Sequence, residues 1–72
     1  MTEQEAVAKA QAVASARGWP WEAPVNSKRY RRFLLGSPRW EILSNASARG
    51  LNVRILLDDA TGDVLEAHYL PR

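Results

Sequence analysis

Seventy-two residues with no cysteine and a single histidine exclude a disulfide framework and a zinc cage of Cys and His, and a formal net charge of +2 is too nearly balanced to decide the partners. The length suffices for one domain, 1–72, and a chain this short buries only about 60% of its unfolded surface, so its core is thin. No apolar run reaches the roughly 18 residues of a membrane span, and the acidic start Met1–Glu5 lacks the apolar stretch of a signal peptide.

As written the chain is therefore expected in the cytoplasm. Had an export signal been removed, it would act outside the cytoplasm.

Residues 2–17 predict a helix. Thr2 and Glu5 have capping-box spacing, and Glu3 and Glu5 suit the positive helix start. Ala6, Val7, Ala10, Val13 and Ala14 recur at three- and four-residue intervals and form one apolar face. Gly18 follows in the position that ends helices. Trp19-Pro20-Trp21-Glu22-Ala23-Pro24 then forbids a helix interior and reads as an extended connector. Its tryptophans either close one end of the core or present an aromatic binding surface.

Four strands are expected next. Ser27–Leu35 is the first, with Tyr30, Arg32 and Leu34 on one face and Arg29, Arg31, Phe33 and Leu35 on the other. Gly36-Ser37-Pro38 is a turn signal. Arg39–Ser44 is the second strand, placing Trp40, Ile42 and Ser44 together. Asn45–Gly50 is a polar loop. Leu51–Asp58 has the cleanest period-two pattern, with Leu51, Val53, Ile55 and Leu57 alternating with Asn52, Arg54, Leu56 and Asp58. Asp59-Ala60-Thr61-Gly62 reverses the chain, with Asp58, Asp59, Thr61 and Gly62 read as turn builders. Val64–Leu70 returns as the fourth strand. Short connections favour antiparallel neighbours. The expectation is a two-layer α+β fold, α-β-β-β-β, with one N-terminal helix packed on a four-stranded antiparallel sheet. The predicted core joins Val7, Ala10, Val13 and Ala14 to Trp40, Ile42, Val53, Ile55 and Leu57.

The segment Val53-Arg54-Ile55-Leu56-Leu57-Asp58-Asp59-Ala60-Thr61-Gly62-Asp63-Val64-Leu65 resembles the C-terminal signature of PepSY domains: an alternating apolar strand, Asp, variable residues, Thr-Gly, a charged residue, then Val-Leu. The Ala-rich Thr2–Arg17 with its acidic start, and the strand at Trp40-Glu41-Ile42, are similar to that family as well. Cystatin-like folds and small immunity-type proteins have comparable endings. The Trp19–Pro24 connector and the basic first strand stand outside the PepSY pattern. The resemblance implies a non-enzymatic module acting by protein contact, with a peptidase as partner; the thin core and an apolar sheet patch separately suggest a second copy of the chain.

No nucleophile motif or phosphate-cradling loop is present, so no catalytic or cofactor-binding residue is assigned and no enzyme activity is expected. His68 and Glu66 share a strand face, where a solvated polar surface is the plainer reading than acid–base chemistry. Asp58, Asp59 and Asp63 lack the spacing of an EF-hand loop. The contact surface is expected on the open sheet face, an edge strand and the connector, at Trp19, Trp21, Tyr30, Arg32, Leu43 and Leu56. Leu43 and Leu56 would form an exposed apolar patch that a homodimer could cover. The alternative is nucleic-acid binding by segment 28–39 through Lys28, Arg29, Arg31, Arg32 and Arg39, although strand alternation divides these charges over two faces.

Overall fold

The computed structural model describes residues 1–31 and 38–71. Helix α1 (Glu3–Ala16) is followed by strands β1 (Asn26–Tyr30), β2 (Arg39–Leu43), β3 (Asn52–Asp58) and β4 (Val64–Leu70). The strands form one sheet in the order β1-β2-β3-β4, each antiparallel to its neighbour. The helix packs over β2 and β3, giving the expected two-layer α+β arrangement.

Local chemistry sets both ends of α1. Thr2 Oγ1 accepts from Glu5 N at 3.2 Å, and Glu5 Oε1 accepts from Thr2 N at 2.8 Å, completing the capping box. At the other end Gly18 adopts a positive φ of 71°, which only glycine reaches without a Cβ penalty. Gly18 N then donates to Ser15 O and Trp19 N to Ala14 O, the paired bonds of a Schellman stop. That stop aims Trp19 back over the sheet.

Ala6, Ala10 and Ala14 make a fully buried stripe, with Val7 and Val13 half-buried beside it. Methyl side chains let the helix lie close to the sheet but bury little area each. The bulk comes from Trp40, Ile42, Val53, Ile55 and Leu57, together with half-buried Trp19, Trp21, Val25, Ala67 and Tyr69. Every residue of the predicted core belongs to this cluster.

Strand limits shift from the sequence reading. The first strand begins at Asn26 and ends at Tyr30, leaving Arg31 outside it, and its expected continuation over 32–35 and the turn at Gly36-Ser37 lie outside the described residues. The second ends at Leu43 and the third begins at Asn52. Leu51 is not a strand residue: its φ of 56° is left-handed, so it belongs to the loop. Opposite Leu57 the β3–β4 register slips, and Leu57 pairs with Val64 while Leu56 pairs with Glu66. This bulge interrupts the alternation of side chains at the start of β4 and puts Val64 opposite Leu57.

The connector and the loop after β2 hold each other. Asn45 N donates to Glu22 O at 2.7 Å, and Ala46 N to Pro24 O at 2.9 Å. Residues 22–24 thus find backbone partners despite the prolines that bar them from a strand.

Candidate interaction surface on the outer sheet face and the β4 edge

Register places the side chains. Trp40, Ile42, Val53, Ile55 and Leu57 face the helix, so their directly opposed partners Ser27, Arg29, Ala67 and Tyr69 do too. The outer face carries Asn26, Lys28 and Tyr30; Arg39, Glu41 and Leu43; Asn52, Arg54, Leu56 and Asp58; and Glu66, His68 and Leu70. It is mostly polar. Arg54 donates to Glu41 Oε2 at 3.0 Å, and His68 Nε2 lies 3.3 Å from Glu66 Oε1 with both side chains about half exposed.

That face corrects the expectation of an exposed apolar patch. Leu56 is only 3% exposed, and Leu43 is half-buried. Leu56 stands between Glu41 and Glu66, with the Arg54–Glu41 pair beside it. Long charged side chains cover apolar neighbours with their methylene stems while the heads stay in water. Tyr30 is half-buried opposite Arg39, and Arg32 lies outside the described residues.

The tryptophans are half-buried and packed on the core. Trp19 stacks on Tyr69 with ring centroids 6.2 Å apart, and the Arg17 guanidinium lies 5.3 Å from the Trp19 ring centroid. Trp19 of the connector thus packs against the core beside β4, and both tryptophans keep partly exposed rings.

The basic segment does not converge. Lys28 faces outward opposite Glu41, and Arg39 outward opposite Asp58. Arg29 faces the helix side and donates to Asp59 Oδ2 at 3.1 Å. Arg31 is exposed beyond the strand.

Asp59 takes a different role from the one its place in the turn suggests. Asp58 builds the turn, with its Oδ1 accepting from Ala60 N and Thr61 N, and Thr61 Oγ1 accepts from Asp63 N. The Asp59 side chain instead reaches back across the sheet and accepts from Trp40 Nε1 at 2.7 Å. This indole bond, and then the Arg29 bond, hold the Asp59 carboxyl below the usual carboxylate range. A lowered folded value means that ionised Asp59 stabilises the fold above the ordinary carboxylate range, and that this contribution is lost as pH falls through the lowered value. Glu5, held low chiefly by the Thr2 backbone N–H, acts in the same direction. Acid titration followed by Trp fluorescence is expected to show stability falling below about pH 4, with a shallower decline in Asp59→Asn. An equal slope in that variant would remove Asp59 from the account.

Alternation also misplaces Asn52. It is 6% exposed, and its Nδ2 donates to Ser44 O at 3.0 Å and Asn45 O at 2.9 Å while its Oδ1 accepts from Gly50 N at 2.9 Å. Fully buried Ser44 accepts from Val53 N through its Oγ. The pair closes loop 45–51 from inside. The readable signal is an amide at the end of a polar, glycine-terminated loop.

The open edge is β4. Val53 N donates to Ser44 Oγ and Val53 O accepts from Ser44 N, so the Val53 backbone points toward β2. Alternation aims the backbone groups of Asn52, Arg54 and Leu56 at their β4 partners Leu70, His68 and Glu66. Those of Ala67 and Tyr69 therefore point away from β3. Among the described residues no strand pairs with them. β4 is seven residues long, contains no Lys, Arg or Pro, and exposes Val64, Leu65 and Leu70 by 37–43%. The opposite edge, β1, is five residues long and carries Lys28 and Arg29, residues that discourage strand pairing.

Fold and surface define a small two-layer α+β protein whose β1 edge carries Lys and Arg and whose β4 edge carries neither. Among the described residues no pocket opens, no group of His, Asp and Glu is placed to hold a metal ion, and no helix is long and apolar enough to cross a membrane. Comparison with protein-family models, with curated proteins and with solved structures returned no match.

Proposed function

We propose that this chain is a non-enzymatic, PepSY-like interaction module that binds another polypeptide by adding it as a strand to β4. The observation that carries this reading is the open edge: outward-pointing backbone groups at Ala67 and Tyr69, flanked by exposed Val64, Leu65 and Leu70. Main-chain hydrogen bonds supply affinity in such additions, and alternate side chains supply selectivity. A long apolar edge left without Lys or Pro is a liability unless it is used or covered. The basic segment supports nucleic-acid binding less, because Lys28 and Arg39 stand opposite carboxylates and Arg29 is paired with Asp59.

The test is selection of short peptides from a random displayed library on the immobilised protein, repeated with Ala67→Pro. Proline is tolerated at an edge position whose N–H faces solvent, but it removes the donor that an added strand needs. Enriched peptides should alternate apolar residues and lose binding to Ala67→Pro, while the near-ultraviolet Trp signal of that variant stays native. No enrichment, or binding indifferent to Ala67→Pro, would overturn the reading.

A further inference from the structure

We infer that the occupant of the β4 edge is a second copy of this chain, paired antiparallel about a two-fold axis at Ala67; this rests on the strand-addition reading above. The sequence of β4, Val64-Leu65-Glu66-Ala67-His68-Tyr69-Leu70, is chemically self-complementary about its centre. A two-fold axis there sets Ala67 against Ala67 of the second copy. Glu66 then meets the copy's His68, and beyond this pair the apolar Val64 and Leu65 of one copy lie along the edge beside Tyr69 and Leu70 of the other. Acid meets base on the outer face, and apolar meets apolar on either side.

The backbone agrees with this register. Ala67 points its N–H and C=O at the open edge, so two copies exchange a reciprocal pair of hydrogen bonds across the axis. The bulge lies opposite Leu57 at the start of β4, so the regular pairing across the axis spans 66–68 and Val64 and Leu65 lie outside it. An axis at Glu66 would set Glu66 against itself. An axis at His68 would set His68 against itself and Glu66 against Leu70. Charge therefore selects the axis at Ala67 over its two neighbours. Such a two-fold contact is isologous and closes as a dimer. It extends the sheet to eight strands with both helices on one face, and it covers Val64, Leu65 and Leu70.

The pairing is tested by complementation between two charge variants, using sedimentation equilibrium over a range of concentrations. Glu66→Lys sets an ammonium opposite His68 of its copy, and His68→Glu sets two carboxylates opposite each other. Each variant alone is expected to self-associate about tenfold more weakly than the parent chain. In the mixture the introduced lysine faces the introduced glutamate, and the remaining native His68 faces the remaining native Glu66. A heterodimer of about parental affinity should return. Both positions are about half exposed, so far-ultraviolet ellipticity should be unchanged in the monomers. Parental protein that stays monomeric at millimolar concentration would overturn the inference, and peptides still selected at the β4 edge would show that strand addition survives without it. Dimerisation unaffected by His68→Glu, or by Ala67→Pro, would place the contact elsewhere and also overturn it. Failure of the mixture to recover affinity would overturn the register.

Discussion

Asn52→Ala is expected to lower the unfolding free energy by about 2–4 kcal/mol, read from urea denaturation, because it strands buried backbone groups as well as removing bonds. The amide nitrogen serves the carbonyls of Ser44 and Asn45, and the amide oxygen serves Gly50 N–H. Without Asn52 the buried Ser44 carbonyl and the Gly50 N–H lose these partners, while the Asn45 carbonyl keeps its bond from Ala48 N. A chain of this size holds only about 4–11 kcal/mol in total, so the loss is a large fraction. Asn52→Asp is the sharper control. It keeps the shape and the acceptor for Gly50, but it aims a carboxylate oxygen at two carbonyl oxygens. At neutral pH it should therefore be at least as damaging as alanine. A loss under about 0.5 kcal/mol for either variant, the range of ordinary surface substitutions, would refute the buried role of this amide.

Leu56→Ala is expected to cost about 2–3 kcal/mol, toward the lower part of the range for buried leucine, and Ile55→Ala about 3–5 kcal/mol. The two residues are neighbours on the central strand and face opposite ways. Ile55 is fully buried between the sheet and the alanine stripe of α1, where a cavity cannot collapse easily. Leu56 is 3% exposed on the face without a helix, where its paired neighbours Glu41 and Glu66 are long, flexible side chains that leave room to relax. Chemical denaturation of both variants measures the difference. An exposed apolar patch, the reading that alternation alone suggests, predicts almost no cost at Leu56. A measured loss under about 0.5 kcal/mol there would return that reading.

These two sites mark where local pattern stops being informative. Thr2, Glu5 and Gly18 announced the helix ends because caps and stops depend on residues within a few positions. Val53, Ile55 and Leu57 announced a half-buried strand because side chains alternate with period two. The same alternation assigned Asn52 and Leu56 to solvent, and both are buried. Burial depends on what lies over a position, as the folded-back loop does for Asn52. Neither burial is encoded at a spacing of two. Asp59 fails for a related reason. Its neighbours Asp58, Thr61 and Gly62 do turn chemistry, but its own partners Trp40 and Arg29 are far along the chain.

The candidate surface divides in the same way. Trp19, Trp21, Tyr30, Leu43 and Leu56 were named from their chemistry, and they are half-buried or buried. The exposed apolar residues of β4 came forward only once the strand order was known.

By itself the sequence determined the element order, the helix caps, the turn at Asp58–Gly62 and the centre of the core, because each rests on short-range stereochemistry or on period. The tertiary structure alone decided which strands became edges, which backbone groups at Ala67 and Tyr69 were left without partners, and which outer residues were covered. Those properties belong to pairings between distant segments, and an unpaired strand edge exists only after every other strand has chosen its neighbour.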